Sequence, residues 1–330
     1  MDQFLASDDG ATSMNHHPDF IIIGGMKCMT STLHSQLESR SGFCMSEPKE
    51  PCYFSDDPVF QLGPEWYSQC WSSPNPGDLL GESSTHYTKL PTYPQTIERI
   101  RQTCPDVKLI YVMRHPIDRL VSQYVHEWTV GQVTDPIDRA IETFPELIQY
   151  SRYEYQIAPF IEAFGPTQVL PIFFDRLRRH PESELQRIFA FLRAPGVPIW
   201  RRDLPSQNIG HERMRTSPWR DRIVYAPGIS WVRKSLIPRP VRERVKALWR
   251  LRDRPKLSED SVAKLTEIFN HDLDLLSQRL GIDPALTCRN FERTAELDLP
   301  LGFCDGDGLT EPASGTAVSD RISDSTWDSK

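Results

Sequence analysis

Between Ile23 and Leu33 the chain reads Ile-Gly-Gly-Met-Lys-Cys-Met-Thr-Ser-Thr-Leu, a lysine and three hydroxyl residues behind a glycine pair. Where a strand turns into a helix, such a run aims backbone N–H groups and the positive end of the helix dipole at one spot, which suits an anion. Lys27 adds a full charge there, and Thr30, Ser31 and Thr32 add hydroxyl donors. Roughly 85 residues later a second candidate stands at the end of an apolar run: Arg114, whose guanidinium can make a forked contact with a phosphate. Ser122 follows eight residues on, about two helical turns, and so can face the same anion.

The order of residues narrows the chemistry. A Walker-type loop needs its lysine immediately before the Ser/Thr that holds magnesium. Here Lys27 precedes the hydroxyl run by three residues. A magnesium-holding NTPase would also be expected to offer an aspartate where the second strand ends, and this chain offers Arg114. The pattern points to a phosphate site that is not a kinase site, with no evident metal ligand.

Several elements must position these groups. Asp19–Ile23 reads as a short strand buried on both faces, followed by a helix over TSTLHSQLESR with Thr or Ser near its N-cap. SEPKEPCYFSDD and GDLLGESSTHYTK read as loops with strand-like cores. A helix around Pro94–Cys104 leads to the strand 107–113, and IDRLVSQYVHEW is a further helix. Residues 147–164 read as helical, 168–175 as a third strand, and PESELQRIFAFLR and SVAKLTEIFNHDLDLLSQRLG as helices. This alternation predicts an α/β fold, a parallel sheet flanked by helices on both faces in three α/β/α layers.

Two segments carry a resemblance. Met26-Lys27-Cys28-Met29-Thr30-Ser31-Thr32-Leu33 resembles the 5′-phosphosulfate loop, close to P-K-x-G-T-T-x-L, of sulfotransferases that use 3′-phosphoadenosine-5′-phosphosulfate (PAPS). Arg114-His115-Pro116-Ile117-Asp118-Arg119-Leu120-Val121-Ser122-Gln123-Tyr124 resembles the second half of that signature, R-D-P-x-x-R-x-x-S-x-Y. The resemblance spans roughly 18–285 and implies a P-loop-like fold. It implies PAPS as donor without a metal, with Lys27 through Thr32, Arg114 and Ser122 on the nucleotide. It further implies Glu50, within SEPKEPCYF, as catalytic base beside Lys27, and a late loop in which Arg213 and Arg215 close over the 3′-phosphate. GESSTHY and SRYEYQIAPFIEAFG also resemble family segments, and Tyr153 would then approach the 3′-phosphate. Met29 stands in place of the loop glycine, so the backbone there must avoid positive φ or accept strain. His115 replaces an aspartate, Ser83 a lysine common in glycan-modifying members, and Cys52 a histidine of some members.

The expected activity is O-sulfonation of a carbohydrate or glycolipid hydroxyl, with His86 and His126 as candidates on the acceptor side. For Glu50 the competing role is an ion pair with Lys49. Two other functions compete with the expected one: a module that binds the product nucleotide PAP without turnover, and a P-loop kinase.

Charge is unevenly placed on this chain of net −7. Residues 201–256 hold 16 Lys/Arg against 5 Asp/Glu, a band that suits an anionic ligand or a set of solvated helix faces. Within it, 225–252 mixes Trp231 and Trp249 with arginines and could rest on an anionic membrane surface. Three units are expected: a disordered lead over 1–17, one domain over 18–285 whose 205–285 part is mainly helical and basic, and an acidic disordered tail over 286–330. The seven cysteines form no CxxC pair, so free thiols are expected. With no leader or spanning run in view, a soluble, cytoplasmic protein without a nucleic-acid partner is expected.

Overall fold

A computed structural model describes residues 16–204 and 254–303. Five strands, β1 (Phe20–Gly24), β2 (Phe43–Met45), β3 (Leu79–Ser83), β4 (Lys108–Met113) and β5 (Val169–Phe173), form one sheet in the order β2-β3-β1-β4-β5. Every pairing is parallel, and Phe20 sits beside Gly81 of β3 on one side and Lys108 of β4 on the other. The helices are α1 (Thr30–Glu38), α2 (Asp57–Phe60), α3 (Gly63–Ser68), α4 (Thr96–Thr103), α5 (Pro116–Val130) and α6 (Ile137–Thr143). They continue with α7 (Glu146–Gln149), α8 (Tyr153–Phe164), α9 (Phe174–Arg179), α10 (Pro181–Leu192) and α11 (Glu259–Leu280).

The strands are apolar at successive positions because both faces are covered. Ile21, Ile23, Leu109, Tyr111 and Met113 point to the face packed by α4, α8 and the C-terminal half of α11. Phe20, Ile22, Ile110, Val112, Leu170 and Ile172 point to the face packed by α1, α9 and α10. A period of two thus divides one apolar run between two cores. The expected three-layer α/β/α architecture is the one observed.

Some boundaries differ from those expected, each for a physical reason. SEPKEPCYFSDD holds no strand; pairing is confined to the preceding Phe43–Met45, and two prolines within the segment lack ladder donors. The third strand ends at Phe173, and Phe174 and Asp175 already belong to α9. The helix expected over 147–164 is broken at Tyr150–Arg152. There the buried Arg119 donates to Ser151 Oγ (2.7 Å) and to the Leu147 carbonyl (3.2 Å), tying α5 to the break. Tyr150–Arg152 therefore serves as the anchor for a buried guanidinium.

The largest correction concerns the tail. Residues 286–303 are not a disordered appendage: Leu286, Phe291, Ala295, Leu299 and Phe303 are buried. Phe291 stands edge-on to Phe173 of β5 (5.6 Å) and to His115 (5.7 Å). The acidic composition of the tail masked a sparse set of apolar side chains that close one end of the core, and the packed chain continues past 285 at least to Phe303. Phe291→Ala is expected to cost about 3–4 kcal/mol of stability, read as a lower urea midpoint; an unchanged midpoint would contradict this packing. The lead over 1–15, the basic stretch 205–253 and the rest of the tail lie outside the described residues. All six cysteines among the described residues are free thiols, and no helix among those residues is long and apolar enough to cross a membrane.

Candidate functional site

The C-terminal ends of β1, β3 and β4 and the start of α9 meet around one cavity of about 590 Å³. In open parallel sheets ligands bind outside these strand ends, where the chain order reverses across the sheet; here β3 and β4 flank β1 on opposite sides.

The loop after β1 forms one wall. Gly24 has no room for a side chain, since a Cβ there would lie 2.0 Å from Thr88 Oγ1. Lys27 and Met29 both adopt left-handed backbone, each with φ 69°. Met29 is the N-cap of α1, in place of the expected Thr or Ser, and no side chain caps this helix. Left-handed geometry at two non-glycine residues costs about 1–2 kcal/mol each. Of the two outcomes open for Met29, the strained one is found. The gain is a concave turn of N–H groups at the head of α1, whose first-turn amides have no acceptor within the helix. Met26 through Thr32 all line the cavity.

Arg114 leaves the tip of β4 and lines the same cavity, as does Ser122 on α5. Its Nη1 donates to the Lys27 carbonyl at 3.4 Å, and its guanidinium lies 4.8 Å from the centre of the Phe174 ring. Tyr153 faces the backbone here: its hydroxyl donates to the Arg114 carbonyl and accepts from the Arg114 N–H (3.1 Å), with the side chain fully buried. Tyr153 therefore positions Arg114 from behind and does not line the cavity. His115, where the family pattern has aspartate, still caps α5: its Nδ1 accepts from the Asp118 N–H at 3.5 Å. Its Nε2 is 2.8 Å from the Cys288 carbonyl, so the ring carries its proton on Nε2.

The opposite wall comes from the segment after β2 and the turn after β3. Glu50 Oε1 accepts from Lys49 Nζ (2.8 Å) and Oε2 from Thr85 Oγ1 (3.1 Å). Lys49 also donates to Ser31 Oγ at 3.0 Å, so one ammonium joins the carboxylate to the anion loop. Burial alone would raise the Glu50 carboxyl, but the hydrogen bond and charge of Lys49, helped by Thr85, hold it below the usual carboxylate range. His86 lines the cavity, stacked on Tyr93 at 5.1 Å; burial, reinforced by the Lys89 charge, pushes it down to about 4 and keeps it neutral. His126 lines the cavity too.

Beneath this wall lies a fully buried carboxyl, Glu82 of β3. It accepts from Tyr67 and from Ser84 Oγ (2.6 Å), and burial raises its pKa. Ser84 Oγ in turn accepts the Cys52 N–H (3.1 Å), and the Tyr87 hydroxyl accepts the Phe54 N–H (3.3 Å). The loop that carries Glu50 is thus bound, two and four residues past that glutamate, to the turn that follows β3. Ser83, in place of a lysine, is buried and bonded to His34 Nδ1 at 2.9 Å, an imidazole that burial lowers to about 4.

Apart from Tyr153, the expected site residues within the described residues therefore share one cavity; Arg213 and Arg215 lie outside the described residues. Sequence reasoning missed Thr85, Lys89, Phe174 and Arg178, which line it as well. Phe174 was hidden by reading it as strand. Lys89 stands just past the recognised GESSTHY segment, and its cationic type was the available signal.

The site is thus a parallel α/β sheet with a concave turn of backbone amides and with cationic side chains at its strand ends. A model of the sulfotransferase family matches residues 34–198, half of the chain, and the chain belongs to that family of sulfo-group transferases. The membrane-associated sulfotransferase kil1 of Dictyostelium discoideum is 30% identical over 130 residues, covering 38% of this chain and 26% of that protein. Heparan sulfate glucosamine 3-O-sulfotransferase 3A1 of Mus musculus is 28% identical over 200 residues, covering 57% and 48%. The chain thus matches about a quarter to a half of the length of these relatives. A crystal structure of a sulfotransferase from Alicyclobacillus acidocaldarius shares the fold, with TM-score 0.56, 20% identity, and coverage of 79% of this chain and 95% of that one.

Proposed function

We propose that this protein transfers a sulfonate group from PAPS to an acceptor hydroxyl, on a carbohydrate or glycolipid. The observation that carries this reading is the convergence of Lys27 with its loop, Arg114, Ser122 and Glu50 on one cavity. The site fits a doubly anionic nucleotide: a concave turn of amides meets Lys27 at one wall, and Arg114 and Ser122 stand beside it. Relatives with carbohydrate acceptors in their names support the choice of a glycan.

The donor supplies an activated sulfonate with PAP as leaving group. Loop amides and Lys27 stabilise the charge that develops on the leaving phosphate. Arg114 and Ser122 hold the 3′-phosphate, and Arg114 keeps the loop in place through the Lys27 carbonyl. Glu50 takes the acceptor proton. A carboxylate held low is a weak base toward a resting hydroxyl, and it becomes adequate as that hydroxyl turns acidic during bond formation. The ion pair with Lys49 is compatible with this role, because that ammonium fixes the carboxylate relative to the loop through Ser31. His86 and His126 remain candidate proton acceptors on the acceptor side.

Calorimetric titration with PAP, with and without magnesium, followed by transfer of labelled sulfonate from PAPS to an acceptor pool, tests the proposal. Tight PAP binding independent of magnesium and measurable transfer are expected. PAP binding without transfer would favour the non-catalytic module, and preference for ATP with magnesium would favour the kinase.

Lys49→Met gives a prediction with a defined sign. Lys49 lowers the Glu50 pKa while burial raises it, so removing Lys49 leaves the raising influence in place. The acidic limb of the kcat/KM profile should therefore move to higher pH, with activity lost earlier as pH falls. A limb that stays put would remove Glu50 as the titrating group.

A further inference from the structure

Lys89 follows β3 and lines the cavity without a role in the chemistry above. It is half-buried, with its ammonium 5.9 Å from the centre of the Tyr150 ring, and it forms no ion pair among the described residues. Burial disfavours its charged form, and the carboxylates that act on it are Glu127 and Glu50. Glu50 is already committed to Lys49 at 2.8 Å and Thr85 at 3.1 Å. A cation taken from water without a counter-charge is costly, and proteins pair such groups. Glu127 acts on Lys89 without forming an ion pair with it, so an anion that fills the cavity would give this ammonium a direct counter-charge.

The position of Lys89 decides which molecule that is. Lys27 and Arg114 reach the cavity from the loop after β1 and from the tip of β4. Lys89 instead lines the cavity from the segment after β3 together with His86 and with Thr85, whose hydroxyl donates to Glu50; these are the groups an acceptor hydroxyl must approach. The His86 ring, stacked on Tyr93 at 5.1 Å and 14° between planes, gives that side a flat face beside the ammonium.

We infer that Lys89 forms an anion subsite for the acceptor. The acceptor carries an oxyanion, a carboxylate or a sulfate ester, that pairs with this ammonium when the hydroxyl meets Glu50. Lys89 is then a specificity-determining residue, selecting acidic acceptors over neutral ones of the same shape. The inference rests on the sulfotransferase reading for the word acceptor, but its test is a binding measurement and stands apart from turnover.

The protein saturated with PAP is titrated with cellobiose, with cellobiuronic acid and with a cellobiose monosulfate, so that the carboxylate and sulfate arms distinguish the two sources of charge. The wild type should bind at least one acidic disaccharide about tenfold or more tighter than cellobiose. Lys89→Met should erase that preference while PAP affinity stays within about twofold, which also shows that the variant folds; Lys89→Arg should keep most of the preference. Equal binding of all three sugars, no binding of any, or a preference that survives in Lys89→Met would overturn the inference. In turnover with an accepted substrate pair, a rise in KM confined to the acidic acceptor is expected. An equal fall in kcat on both acceptors would instead put Lys89 on the transferring sulfonate and equally overturn it. A chain that binds PAP and never turns over leaves the binding result decisive, so failure of the transfer reading and failure of the subsite are told apart.

Discussion

Lys27→Ala will lower sulfonate transfer by at least about 10²–10³-fold, the loss usual when one preorganised donor to a developing oxyanion is removed. The expectation follows from the loop's construction. Lys27 sits in left-handed backbone at the entrance to α1, and its carbonyl is held by Arg114 at 3.4 Å. Strain of this kind persists where surrounding structure fixes the chain, so the side chain acts from a preset position. Alanine removes the charge and leaves the turn in place. The measurement is single-turnover transfer of labelled sulfonate, with thermal unfolding to confirm an intact fold. Transfer at the wild-type rate would place the chemistry elsewhere in the molecule.

Glu50→Gln will slow turnover by about 10²-fold or more while PAP affinity stays nearly unchanged. The amide keeps the carboxylate's shape and can still accept from Thr85, but it cannot take a proton. Glu50 touches the loop only through Lys49, whose second bond runs to Ser31 Oγ at 3.0 Å. A small change in PAP affinity through that bridge is therefore tolerable, whereas unchanged turnover would remove the base assignment. Together the two substitutions separate donor-end chemistry from acceptor-end chemistry within one cavity.

What could be read in advance from the residues divides along physical lines. The strand–helix alternation was legible because a sheet buried on both faces leaves continuous apolar runs such as Phe20–Ile23 and Leu109–Met113. That Lys27 and Arg114 would line one cavity was legible because each stands where such a run stops. Glu50 came from a resemblance, and periodicity alone would not have singled it out. The rest depended on contacts between distant segments. Nothing local in SRYEYQIAPF marks the break at Tyr150–Arg152, since its cause is Arg119 some 30 residues earlier. Phe291 lies in an acidic, polar stretch, so composition argued for disorder while a few apolar side chains were enough to seal the core. Lys89 drew no attention because a lysine beyond a loop is ordinarily solvated, and only the cavity gives meaning to its having no ion pair among the described residues.

The order β2-β3-β1-β4-β5 has a consequence for how the molecule comes into being. The first strand to leave the ribosome is the central one, and its neighbour β4 is made about 85 residues later. Lys27 and Arg114 can face each other only once that late strand has docked. A nascent chain stopped before Arg114 has only one wall of the cavity, which is complete only when the middle of the sheet has closed.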